Sequence, residues 1–260
     1  EGNNLMQIGF GTSDAKQLTL SFWVKSSITG NWSASLYVYD TNKIYSQAYT
    51  INSANTWEYK TLTYPALTSG SPAYDNSGGL ILNFGLFAGS GSNTATTAWT
   101  SYAQTNLLGG QTANLSGTLN ATWQVTGCQL EVGDTATPFE HRSFGDELQS
   151  CKRYFEVYAP ITSTNGSIGL LRVRTSVNGY SGVLNYYEKR ASPTATLDFD
   201  RLHKPGVAMD TISSTSVDVS SGETSSCTVN CTPTNDSTIS TYAFLGKSSG
   251  QGELTLDAEL

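Results

Sequence analysis

Alternation with a period of two constrains this chain more than any other feature. In QLTLSFWVKSS, Leu18, Leu20, Phe22 and Val24 fall on one side, and Thr19, Ser21, Trp23 and Lys25 on the other. That is the pattern of a strand with one face on a core. It recurs in SASLYVYD, where Leu36 and Val38 oppose Tyr37 and Tyr39, and in LILNFGLFAG through Leu80, Leu82, Phe84 and Leu86. SITGNW, DTNK, NSANT and TSGSPAYDNSGG stand between these runs as turns and loops. WEYKTLTYP and ATWQVTGCQLEVG supply further strands. Short strands at such spacing predict a β-sandwich of jelly-roll type.

Between Ser90 and Asn120 the rhythm stops. This polar stretch, which carries Trp99 and Tyr102, is too long for an ordinary connection, and such loops are usually functional or mobile. The opening EGNNLMQIGFG gives a sandwich no proper first strand. The expectation is that residue 1 is not a natural start and that preceding sequence contributes the first strands.

Charge narrows the partners. Only 13% of residues are charged, and the net charge is −7. Nucleic acid is therefore not expected as a partner, because a phosphate backbone needs a basic stripe. No apolar run approaches the roughly 20 residues of a membrane span, so membrane insertion is not expected. Of the four cysteines, Cys227 and Cys231 are separated by three residues, while Cys128 and Cys151 stand alone. With His141 and His203 the only histidines, a zinc site has too few ligands, and free, partly buried thiols are expected. A Cys227–Cys231 disulfide has no secretory context to support it.

The segment LEVGDTATPFEHRSFGDELQSCKRYF concentrates acids, bases and a histidine. DELQSCKRYFEVY reads as a helix: Leu148, Cys151 and Phe155 recur at helical spacing, with Asp146 as cap and Gln149 three residues on. Strand rhythm then resumes in TATLDFD, SSCTVNCTP, GELTLDAEL and others. The fold class expected is all-β: a jelly-roll sandwich over residues 1–143, a linker helix over 144–157 and a second, smaller sandwich over 158–260.

For PFEHR, a catalytic or metal-binding Glu140–His141 pair competes with a structural role. Adjacent side chains on extended backbone point to opposite faces and cannot converge on one substrate atom. The structural role is preferred, with Phe139, Glu140, His141 and Arg142 bracing the junction between the domains. Glycosidase chemistry needs two carboxylates across a cleft, and Asp40, Glu58, Asp75 and Glu131 are scattered. No nucleophile elbow, phosphate loop or HExxH motif occurs. An enzyme is not expected.

Aromatic side chains are the better lead, because sugar recognition stacks rings on pyranose faces. Trp32, Tyr37, Tyr39, Trp99 and Tyr102 occupy polar or loop-adjacent positions. They are the candidate glycan ligands, with Trp99 and Tyr102 foremost. Trp57 and Trp123 fall on strand faces expected to pack in the core.

LTLSFWVKSS, YTINSANTWEYKTLTYP, LNFGLFAGS, WQVTGCQLEVGDTATPFEHRSFGDELQSCKRYF and the terminal LDAEL resemble segments of bacteriophage virion proteins, the tail-fibre and appendage proteins of marine and cyanobacterial phages. The N-terminal half also resembles the jelly-roll carbohydrate-binding modules of polysaccharide-degrading enzymes. The resemblance spans most of residues 1–160 and is looser beyond, resting there on YYEKRASPTATLDF. It implies a non-enzymatic virion structural protein that helps attach the particle to host-surface polysaccharide. It further implies assembly as a homotrimer beside other virion proteins. A capsid decoration protein and a binding module of a secreted hydrolase are the alternatives. Jelly-roll sugar-binding modules often hold a Ca²⁺ ion, but no ligand set for one stands out, so no cofactor is expected.

Overall fold

The computed structural model describes residues 1–89, 91–158, 167–174, 179–203, 210–220, 223–234, 242–246 and 253–259. The stretch 159–166 and parts of the later expected strands lie outside them. The chain divides into two compact units, Glu1–His141 and Arg142–Leu260.

In the first unit, β1 (Leu18–Ser26) lies between β4 (Glu58–Tyr64) and β7 (Trp123–Val132) in a three-stranded antiparallel sheet. The second sheet has the order β5-β2-β3-β6, built from β2 (Gly30–Val38), β3 (Lys43–Ile51), β5 (Leu80–Phe84) and the two-residue β6 (Thr100–Ser101). The alternation places the core as expected. Leu18, Leu20, Phe22 and Val24 from one sheet meet Trp32, Ala34, Leu36 and Val38 from the other, all buried. Burial of a side chain of this size contributes about 2 kcal/mol, and the shared face fixes register because a one-residue slip would invert it.

The long polar stretch forms a third layer. Its backbone lies against the outer face of the second sheet, where β2 and β3 present Ser33, Ser35 and Ser46, all buried. Thr96 Oγ1 exchanges hydrogen bonds with the backbone of Ser46, and Gln111 Oε1 accepts from Ser33 N–H at 2.6 Å. The approach is close enough that a Cβ on Gly109 would meet Ser46 Oγ at 2.4 Å. Small residues on the strands and glycine in the covering segment are the two halves of one contact.

A bulge shapes the first sheet. Ser21 pairs with Gln129 but Trp23 pairs with Thr126, so Gly127 and Cys128 share one position on β1. Gly127 has φ of +58°, a left-handed conformation that glycine adopts without steric cost.

The second unit begins with α1 (Phe144–Lys152), whose N-cap is Ser143 rather than Asp146. Ser143 Oγ accepts from the Asp146 N–H at 3.2 Å and donates to the Asp146 carboxylate at 2.7 Å. The helix stops well short of residue 157, because 155–158 are strand: β8 (Phe155–Tyr158) pairs with β16 (Glu253–Asp257), which pairs with β11 (Thr194–Asp198). The other sheet contains β9 (Ser167–Arg174), β10 (Gly179–Asn185), β12 (Arg201–His203), β13 (Asp210–Asp218), β14 (Ser226–Pro233) and β15 (Tyr242–Gly246). It closes on itself through β9–β10 pairing in the order β10-β14-β13-β12-β15-β9, which removes its open edges. Tyr180, Val229 and Leu245 from this sheet share a core with Leu254 and Leu256 from the other. The architecture is thus two β-sandwich-like domains and a short helix, the second domain having one closed sheet.

All four cysteines are free thiols. Cys227 and Cys231 are buried, which pushes their pKa values up to about 11 and about 12. No helix among the described residues is long and apolar enough to cross a membrane.

Candidate functional site

The five candidate aromatics separate into two groups. Trp32 lies in the sandwich core with no exposed surface. It alternates in phase with Ala34 and Leu36 and faces the core despite its polar neighbours in sequence, so it offers no ring face to a ligand. Trp99 is also a packing residue. Its indole N–H donates to Pro65 O at 2.6 Å, and its ring meets Phe10 at 6.2 Å and Tyr45 at 5.8 Å. The covering segment carries Trp99 down against the core, leaving little ring face for a sugar.

Tyr37, Tyr39 and Tyr102 come together at the surface. The Tyr37 ring meets that of Tyr102 at 5.0 Å and that of Tyr39 at 6.0 Å, and Tyr39 and Tyr102 are 58% and 38% exposed. Tyr37 projects outward from β2, because its neighbours Leu36 and Val38 face the core. Tyr39 follows in the turn to β3, and Tyr102 follows β6.

Asn42 holds the three in register. It sits in the left-handed region at φ of +51°, which asparagine tolerates better than most residues. Its carbonyl accepts from Tyr102 N–H at 2.9 Å, and its side-chain Oδ1 accepts from Tyr37 O–H at 3.1 Å. Burial, with smaller contributions from Tyr39 and Tyr102, raises the Tyr37 pKa. The Tyr37 phenol therefore keeps its proton and can donate as a neutral O–H.

Beside the cluster is a cavity of about 310 Å³ lined by Thr94, Thr96, Thr97, Thr100, Thr105 and Asn106. Thr100 and Tyr102 are two residues apart, so cluster and cavity share the β6 edge. Asn106 is fixed there, accepting from Ala103 N–H at 2.9 Å and donating to Ser101 O at 3.0 Å. Exposed phenol rings next to a hydroxyl-lined hollow can stack on a pyranose and hydrogen-bond its hydroxyls. The repeated threonines of NTATTAWT were the available sequence signal for this cavity, and Asn42 had none beyond its turn.

The polar run at 139–142 does not converge on a reaction centre. Phe139 and His141 contact each other edge to face at 5.1 Å, and Glu140 N–H donates to Gln129 Oε1 at 2.8 Å. Both contacts lie within the first unit. Arg142 Nη1 stands 3.6 Å from Glu147 Oε1 within the second. Glu131 is engaged by Thr137, whose N–H donates at 2.6 Å and whose hydroxyl donates at 2.8 Å, and these bonds lower its pKa. Glu58 accepts from Asn52 and Ser53 N–H groups and from Lys60, and sits near pKa 2. These carboxylates hold turns. No group of three His, Cys, Asp or Glu residues gathers among the described residues.

Trp123 is partly buried against the core, its indole N–H donating to Tyr49 O–H at 3.2 Å. Trp57, expected there too, is instead 41% exposed, because it shares the outward face with Tyr59.

The chain is a mostly-β protein of sandwich architecture, an architecture consistent with a binding module. No protein-family model matches the sequence, and no curated protein matches it either.

Proposed function

We propose that this chain is a non-enzymatic virion structural protein, a phage tail fibre or appendage that contributes to host attachment by binding surface glycan. The observation that carries the binding role is the exposed Tyr37–Tyr39–Tyr102 cluster beside its threonine-lined cavity. The virion setting rests on the sequence resemblance to phage appendage proteins, and in that setting the chain acts as a homotrimer among other virion proteins.

Gold-labelled antibody against the chain, applied to intact particles, tests the setting. Label at fibres or tail tips is expected, together with loss of host adsorption in Tyr102→Ala particles. Label spread over the head would replace attachment with capsid decoration. Absence of label from particles would overturn the virion role.

A further inference from the structure

The first unit carries a second aromatic surface, on the outer face of its other sheet. Trp23, Trp57, Tyr59 and Phe139 are each between 41% and 45% exposed. Trp23 and Tyr59 are direct cross-strand partners with rings 5.4 Å apart. Lys25, two residues along β1, places its ammonium 5.1 Å from the centre of the Trp57 ring.

Phe139 arrives from the other side. After β7 the chain folds back on its own strand, tied by the bonds of Thr137 to Glu131 and of Glu140 N–H to Gln129. This return sets Phe139 over Gly127. A Cβ at Gly127 would lie 3.6 Å from Trp23 Cδ1 and 3.9 Å from Phe139 Cδ2, so both rings flank the bare backbone of the bulge. The rings thus run across all three strands, from the Trp57 end of β4 through Tyr59 and Trp23 to Phe139.

We infer that this strip is a second glycan-binding site, for a neutral, extended chain of β-linked pyranoses. Rings on a sheet face can meet the flat C–H faces that equatorially linked pyranoses expose, and ring stacking of this kind is apolar and tolerant of ring edge chemistry. Thr61 on β4 and Thr126 on β7 lie exposed on the same face and offer uncharged hydroxyls for sugar hydroxyls. Lys25 is already occupied by Trp57, and Glu140 at the Phe139 end carries the opposite sign. A face of this balance on a chain of net charge −7 suits an uncharged partner better than a polyanion.

The glycan nature of the ligand rests on the same chemistry as the proposed function, but the site is independent. Tyr37 projects from the opposite layer of the sandwich, so the unit would bind two chains on two faces and bridge them.

Cellohexaose, a neutral β-1,4-linked hexasaccharide, serves as the probe. Its binding to the full chain is followed by tryptophan fluorescence and by retardation in gels containing hydroxyethyl cellulose. Because Trp99 stands between the cavity residues Ala98 and Thr100, the indole signal is assigned to the strip by its loss in Trp57→Phe. Trp23→Ala and Trp57→Ala are each expected to weaken binding roughly tenfold, the loss of one stacked ring. Trp23→Phe should keep part of it. Circular dichroism and sedimentation velocity of each variant show whether fold and assembly are intact.

Unchanged affinity in the folded tryptophan variants would overturn the inference, as would no binding by the wild-type chain. Conversion of an oligomer to monomer by Trp23→Ala, without change in sugar affinity, would make the strip an interface between copies and also overturn it. Loss of host adsorption in Tyr102→Ala alongside unaffected Trp23→Ala binding would leave the proposed function standing and this second site refuted. The reverse pattern would do the opposite.

Discussion

Lys189 Nζ stands 2.8 Å from Glu156 Oε2, and both side chains are buried. The same ammonium donates to Lys152 O at 2.5 Å in the last turn of α1, and Lys152 Nζ reaches the other carboxylate oxygen at 3.2 Å. Arg190 N–H donates to Arg153 O at 3.1 Å just beyond. A buried cation thus satisfies a helix-terminal carbonyl and neutralises a strand carboxylate at once, tying α1 and β8 to the YYEKR segment.

Removing one partner should therefore cost more than removing both. Lys189→Met leaves Glu156 buried with one cation and a helix carbonyl unmet, a loss of about 3 kcal/mol. The Glu156→Gln, Lys189→Met double variant should recover much of that, since neither buried charge remains. Urea unfolding followed at the second unit measures both. Equal losses in single and double variants would show that the pair is not what holds the segment.

Acid sensitivity of the first unit should trace in part to Glu58. Four donors, two of them backbone N–H groups, hold its carboxylate, and its pKa falls from 4.5 to about 2 despite an opposing effect of burial. A folded pKa below the unfolded one contributes stability that is fully present above about pH 4.5 and lost as pH falls toward 2. Because the turn is near solvent, the contribution is on the order of 1 kcal/mol. Glu58→Gln should remove that share, so the stability difference between wild type and variant should shrink between pH 5 and pH 2. A difference independent of pH would mean that the amide preserves the turn equally well or that the bonds are not formed.

Gly127→Ala should destabilise the first unit by about 1 kcal/mol, the cost of a left-handed conformation for a residue with a Cβ. The added methyl meets Trp23 and Phe139 at ordinary contact distances, so backbone strain and not overlap sets the size. Thermal unfolding checks this. A stabilising effect would show that the bulge relaxes to another conformation.

Strand alternation carried most of the fold, since Leu18 to Val24 and Leu36 to Val38 need only a period of two to find their face. What alternation does not carry is the covering of a sheet's outer side. Ile44, Ser46 and Ser33 lie on the outward phase of their strands yet are buried, because residues some 50 to 80 positions away lie over them. The same covering segment packs Trp99, partly buried, against the core and leaves Tyr102 exposed, three positions apart in one polar run. Nothing local distinguishes the two. The bulge at Gly127 is a further case: Gly in a strand pattern signals an irregularity, but only the register shows that it makes room between Trp23 and Phe139. Capping failed for a smaller reason, as Ser143 and Asp146 both qualify and the helix begins one turn earlier than its acidic cluster suggests.

Trp99 and Tyr102 should consequently respond to substitution in opposite ways. Trp99→Ala removes a ring packed on Phe10 and Tyr45 and leaves Pro65 O without its indole donor. Such a change should destabilise the first unit by about 3 kcal/mol, and any adhesion defect should follow from unfolding. Tyr102→Ala removes an exposed ring whose main partner is Tyr37 and should change stability by no more than about 1 kcal/mol. Adhesion to host envelopes should nevertheless weaken roughly tenfold if that ring stacks on sugar. Measuring unfolding and adhesion on both variants separates packing from recognition. Should Trp99→Ala remain stable and lose adhesion while Tyr102→Ala keeps it, the binding face would have to be moved from the tyrosine cluster to the inner side of the covering segment.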